Sequence, residues 1–246
     1  MPESPGMGEQ ALNKAAEIGL SSQLDAVENL DIDIKTQPLK LVQGEVDAVT
    51  ITGEGLVMQK DLRMEEMTME MSSVAINPLS VAFGKIELTK PTTGSARVVL
   101  TAKDINRAFN CDYIRAKLQS QKIKVNGQLV TTAIENIEFH LPGNEKFAIN
   151  AGVLLIETGE NHQVAFSAIP RISSNRQSVY LENVEYGDDE EISPDLTKAL
   201  IAETSQILNL SNFDLSGMTL RIHSLEVEVG KLILQAEADV EQIPFT

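Results

Sequence analysis

Gln37-Pro38-Leu39-Lys40-Leu41-Val42-Gln43-Gly44 and Asn77-Pro78-Leu79-Ser80-Val81-Ala82-Phe83-Gly84 are two copies of one pattern, forty residues apart. Amide, proline, leucine and closing glycine recur at the same offsets. An alternating stretch precedes each copy (Leu30, Ile32, Ile34; then Val74, Ile76), and another follows (Val46, Ala48; then Ile86, Leu88). The repeated unit is therefore strand, short apolar turn, strand. Proline suits the opening of such a turn, and glycine supplies the positive φ by which the chain leaves it. The equivalent positions predict that both turns lie at one end of one sheet. Leu39, Leu41 and Val42 would then neighbour Leu79, Val81 and Phe83, either as plugs of core or as the apolar mouth of a cleft.

The methionines sharpen this choice. Four of the eight fall at Met64, Met67, Met69 and Met71, the last three in strict alternation on one strand face. The phase then slips to Val74 and Ile76, which predicts a bulge at Ser72-Ser73. Methionine is flexible and polarizable and suits a surface that accepts variable apolar shapes. The stripe reads either as ordinary sheet core or as the lining of an acyl-chain groove formed by Met64, Met67, Met69 and Met71 with Leu41, Val42, Val81 and Phe83.

Outward from these stretches the chain continues as strands and few helices. Residues 9–24 carry Leu12, Ala16, Leu20 and Leu24 at helical spacing, after a polar lead over 1–8 expected to be disordered. Thr101 with Asp104 predicts a capped helix that breaks near Asn110-Cys111. Asn126-Gly127 predicts a hairpin turn. Strands follow near 133–141, 146–157, 163–172 and 178–186, then a helix from Ser193-Pro194 to about 208, then strands over 218–229 and 231–241. The class is α+β, dominated by antiparallel sheet. Residues 9–246 are expected to form a single elongated domain with a soft boundary near 120.

Composition removes several function classes. The net charge of −16 opposes nucleic-acid binding, which needs cations to neutralise phosphate. No apolar run reaches the roughly 18 residues of a membrane span. The single cysteine, Cys111, excludes an internal disulfide and a thiolate metal cluster. His140, His162 and His223 have no metal-ligand partner at strand or helix spacing, and Gly53-Glu54-Gly55 lacks the third glycine of a dinucleotide loop. No nucleophile elbow is present. These readings predict no cofactor, no metal and no enzyme. Residues 1–9 lack a basic and apolar export signal, which predicts a cytoplasmic protein peripheral to a membrane.

Two charged regions stand out. Glu182 to Asp195 holds seven acidic and no basic residues, and reads as a solvated loop rather than a cation site. Lys103, Arg107, Arg115, Lys117, Lys122 and Lys124 fall within 22 residues that contain only two acids. They read either as scatter on helix surfaces or as a contact for lipid phosphate made by Arg107, Arg115, Lys117 and Lys122.

Gly53-Glu54-Gly55-Leu56-Val57-Met58-Gln59-Lys60-Asp61-Leu62-Arg63-Met64-Glu65-Glu66 resembles a stretch of the LmeA-like phospholipid-binding family, in its cyanobacterial type. Asn77-Pro78-Leu79, Leu100-Thr101-Ala102-Lys103-Asp104-Ile105-Asn106-Arg107-Ala108-Phe109 and Leu210-Ser211-Asn212-Phe213-Asp214-Leu215 resemble it too. The resemblance implies a bacterial protein whose partner is phospholipid or another membrane lipid. It also implies a tubular lipid-binding-like fold, a long curled sheet wrapping one or more helices around an apolar cleft. It transfers no lipid-contact residues. The expected function is non-enzymatic lipid binding or transfer. The competing classes are a structural adaptor with a filled core and a small-molecule hydrolase. Lipid identity and oligomeric state stay open.

Overall fold

A computed structural model describes residues 7–58, 61–81, 87–112, 114–115, 121–125, 128–187, 196–198, 201–202 and 217–241. The alternating stretches form β1 (Asn29–Lys35), β2 (Glu45–Met58), β3 (Leu62–Ala75) and β4 (Thr92–Thr101). With β10 (Met218–Glu228) and β11 (Lys231–Val240) they make an antiparallel six-stranded sheet in the order β1-β2-β3-β4-β11-β10. The intervening chain builds a separate antiparallel sheet from β5 (Gln121–Val125), β6 (Gln128–Gly143), β7 (Lys146–Leu155), β8 (Glu160–Ile172) and β9 (Val179–Tyr186), in sequential order. The single long sheet implied by the resemblance is thus two sheets, and neither is closed. The change falls at Gln121, and the chain returns to the first sheet at Met218.

Helix α1 (Met7–Ser21) starts two residues before the expected point and ends three before Leu24. It buries Leu12, Ala16 and Leu20 against Ile32 and Ile34. Its polar side chains also guard the outer edge of β1. The Ile34 N–H donates to Asn13 Oδ1 (3.0 Å) and the Thr36 N–H donates to Glu9 Oε1 (3.0 Å). Those groups would otherwise be an open template for strand addition.

The expected bulge in β3 takes another form. Ser73 has φ 56°, yet the pairing of β2 with β3 keeps one register on both sides of it, Val46 with Val74 and Ala48 with Ser72. No extra residue is inserted. Both strands turn together, so that Val46 and Val74 enter the same core as Ile51 and Met71. Gly55, at φ 60°, repeats the device further along. There the Leu56 side chain folds over Gly53, where an added Cβ would lie 2.7 Å from Leu56 Cδ1. β4 crosses β3 so closely at Gly94 that a Cβ there would sit 2.6 Å from the Glu70 carbonyl oxygen.

The second sheet has a sealed core. Phe147, Ile149, Ala151, Val153 and Leu155 alternate inward from β7, and Val164, Phe166 and Ala168 from β8. Phe109, Phe139, Phe147 and Phe166 form a chain of ring contacts with centroids 5.8, 5.2 and 6.2 Å apart. The Asn126-Gly127 turn lies outside the described residues, although Val125 and Gln128 pair across it. Of the helix expected over 193–208, only 196–198 and 201–202 are described, with Leu196 fully buried.

Helix α4 (Ala102–Phe109) joins the two sheets. Thr101 caps it in a reciprocal box with Asp104. Asp104, 3% exposed, also receives Arg63 Nη1 of β3 at 2.9 Å. Arg63 pairs in addition with Glu65 and Glu28, and the three carboxylates raise its pKa above the ordinary value. On the other side Asn106 holds β6 by both amide atoms, donating to the Phe139 carbonyl and accepting from the Phe139 N–H, each at 2.7 Å. Asn110 donates to the Ile137 carbonyl at 3.0 Å. Removing Arg63 leaves a buried carboxylate without its cation. Arg63→Met is therefore expected to lower unfolding stability by about 3 kcal/mol or more. Denaturant unfolding checks this, and a loss under about 1 kcal/mol would contradict the role given to the pair.

Candidate functional site

In an antiparallel ladder directly opposed residues share a face. The register of the six-stranded sheet therefore aligns whole rows across it. One row runs Ile32, Ile51, Met69, Ala96, Ala236, Ile222. The row on its joint side runs Leu30, Gly53, Met67, Val98, Leu234, Leu225. The row on its other side runs Ile34, Val49, Met71, Gly94, Ala238, Leu220. No charged side chain interrupts these rows. The opposite face presents Thr50, Thr52, Thr68, Glu70, Ser95, Arg97 and Glu237, with shallow open hollows lined by those hydroxyls and carboxylates.

Burial along the apolar face is uneven. Ile34, Met71, Ala238 and Val240 are buried in the core that α1 closes at β1. Leu100 and Leu232 pack against the core of the second sheet. Between these regions Met67, Met69, Val98 and Leu234 are only half-buried. Two of the three alternating methionines, Met67 and Met69, are thus half-buried, whereas Met71 is part of the core. Met64 pairs with Leu56 beyond the Gly55 turn and is also half-buried.

The repeated turns are short helices, α2 (Pro38–Val42) and α3 (Pro78–Val81). They leave neighbouring strand ends. Glu45 pairs with Ala75, and the Ile76 N–H donates to the Gly44 carbonyl at 2.7 Å. Both therefore lie at the same end of the six-stranded sheet, as the repeat predicts. Each turn points its first leucine outward, Leu39 at 76% and Leu79 at 74% exposure. Val42 is exposed as well, whereas Leu41 packs half-buried against the core that holds Met67, Met69 and Met71. The Val81 side chain and Phe83 lie outside the described residues.

The basic region lies elsewhere. α4 begins beside the Thr101–Lys231 pair, at the sheet end remote from α2 and α3. The 14 residues of β2 span that separation, roughly 40 Å at about 3.3 Å per residue. Arg107 is engaged with Asp61 at 3.0 Å. Arg115 continues a helical turn, its N–H donating to the Cys111 carbonyl. Lys122 is exposed on β5 and helps hold the Glu157 carboxyl below its usual pKa, an effect due first to the Thr131 hydroxyl and N–H bonds. Lys117 lies outside the described residues. The fold therefore separates α4, with Arg107, from the apolar turns and puts Lys122 on the other sheet. The sequence reading had Asp104 as the cap of this helix but missed Arg63 and Asn106, which complete the joint.

Among the described residues no group of three His, Cys, Asp or Glu side chains is placed to hold a metal ion. Likewise no described helix is long and apolar enough to cross a membrane.

Leu41→Asp forces a charge into the apolar core and is expected to cost about 3 kcal/mol of stability. Leu39→Asp is expected to change it by less than about 0.5 kcal/mol. Denaturant unfolding of the two variants checks the inward and outward assignments, and equal losses would contradict them.

No curated protein and no solved structure matches this chain. The family model for LmeA-like phospholipid-binding proteins matches residues 6–237. The match covers nearly the whole chain, spanning both sheets and the α4 joint, and the chain belongs to the LmeA-like phospholipid-binding family.

Proposed function

We propose that the protein binds phospholipid without catalysing a reaction, and that the acyl chains lie along the methionine-bearing face of the six-stranded sheet. The observation that carries this reading is the contrast between the two sheets. The five-stranded sheet closes its inner face with stacked phenylalanines. The six-stranded sheet carries apolar rows without a ring, and where they cross β3, β4 and β11 Met67, Met69, Val98 and Leu234 stay half-buried. An acyl chain needs apolar length and adaptable walls rather than directed hydrogen bonds, and Met67, Met69, Val98 and Leu234 supply both. Each methylene withdrawn from water contributes about 0.8 kcal/mol, so eight of them give roughly 6 kcal/mol before ordering costs.

The tubular arrangement implied by the resemblance belongs to this proposal, with the apolar face as the inner wall of the cleft. Peripheral contact with a membrane follows from the ligand, since phospholipid is taken from or delivered to a bilayer. Met67 and Met69 are the residues assigned to the acyl chain, with Met64, Met71 and Leu41 at the borders.

Native mass spectrometry of the full chain, before and after lipid extraction, tests the proposal. The untreated protein is expected to carry phospholipid, and the extracted protein to regain it from solution. Met69→Glu places a charge in the middle of the face and is expected to abolish that recovery. A variant that reloads like the parent would remove this face from the mechanism. A parent that never binds lipid would overturn the function.

A further inference from the structure

We infer that the α2–α3 end of the six-stranded sheet is a bilayer-docking tip that favours uncharged over anionic lipid surfaces. Two independent segments present the same side chain at the same end. Leu39 and Leu79 occupy equivalent positions of the repeat and are 76% and 74% exposed, with Val42 beside Leu39 at 78%. The backbone under them is firmly held. The Leu41 N–H donates to the Gln37 carbonyl at 3.0 Å, the Leu79 N–H to Asn77 Oδ1 at 3.1 Å, and the Asn77 N–H to the Glu87 carbonyl at 2.8 Å. Leucines on preformed short helices lose little further entropy on entering an interface, and their burial there is favourable.

The charge around the tip selects the surface. Lys40, the cation of α2, is bound to Asp47 at 2.6 Å, and Lys35 lies 3.5 Å from Asp33. Glu45 and Glu87 are exposed beside them, against the exposed cation Lys90 after the second turn, and the whole chain carries −16. Anionic lipid attracts polybasic segments, and the cations of α2 and β1 are already answered by carboxylates of the same chain. The basic residues of α4, which would seek anionic lipid, belong to the other end of the sheet, and β5 belongs to the second sheet. A zwitterionic surface accepts the leucines without that repulsion. The tip takes its purpose from the lipid-binding reading, since it brings the end of the apolar face to the source of lipid.

The chain contains no tryptophan, so Leu39→Trp is a single-site reporter. Its emission is expected to shift to the blue with phosphatidylcholine vesicles, and to shift less when phosphatidylglycerol replaces part of the lipid. The double variant Leu39→Asp/Leu79→Asp is expected to lose about tenfold or more in vesicle partitioning. Its unfolding midpoint and its uptake of a fluorescent phospholipid monomer are expected to stay unchanged. An unshifted tryptophan, or a double variant that partitions like the parent, would overturn the tip. Binding confined to phosphatidylglycerol vesicles and weakened by salt would also overturn it and assign docking to the basic end. Vesicle docking without monomer uptake would leave the tip standing and defeat the lipid-binding face instead.

Discussion

The arrangement rests on one buried carboxylate. Asp104 closes the cap of α4 through Thr101 and receives Arg63 from β3, while Asn106, one half-turn on, takes both backbone groups of Phe139. The cap is local, whereas the ties to Arg63 and Phe139 join residues 41 and 33 positions apart. Together they fix α4 between a sheet built from both ends of the chain and a sheet built from its middle. A charge at this depth is tolerated only when paired and hydrogen-bonded, so the joint is specific as well as stable.

That joint divides the apolar interior unequally. The side facing β6, β7 and β8 is filled by phenylalanine and small aliphatic residues at close packing. The six-stranded sheet runs away from the joint, and its apolar face is packed at each end, with Met67, Met69, Val98 and Leu234 half-buried in between. Ser73 and Gly55 extend this face. By turning two paired strands together without changing their register, they bring residues three apart onto one side. The face is therefore longer than simple alternation along β2 and β3 would give. Length of this kind suits the acyl chain proposed for it, and the exposed leucines of α2 and α3 lie at the end farthest from the joint.

Much of this was legible in the sequence because the signals were local. Alternation located the strands of both sheets to within a few residues, as β7 and β8 show. The Thr101–Asp104 cap and the shared end of the two Pro-Leu turns followed from spacing alone. The phase slip after Met71 was also visible, but its mechanism was not. A bulge and a left-handed residue in an unbroken register leave the same trace in one strand, and only the partner strand separates them. The Arg63–Asp104 pair was illegible for a different reason. The two residues are 41 positions apart, and a charged side chain in a strand reads as solvent-facing until its partner is placed. The separation of the basic region from the apolar turns was hidden likewise, because sequence proximity along α4 and β5 says nothing about which sheet end they occupy.

The eight methionines offer a direct view of the claimed lipid face. With their methyl groups isotopically labelled, NMR spectra of the full chain can be recorded with a phospholipid carrying a paramagnetic label on its acyl chain. The Met67 and Met69 signals are expected to broaden first and most strongly, with Met71 and Met64 next and Met58 unaffected. Uniform broadening, or broadening that spares Met67 and Met69, would contradict the assignment of the acyl chain to this face.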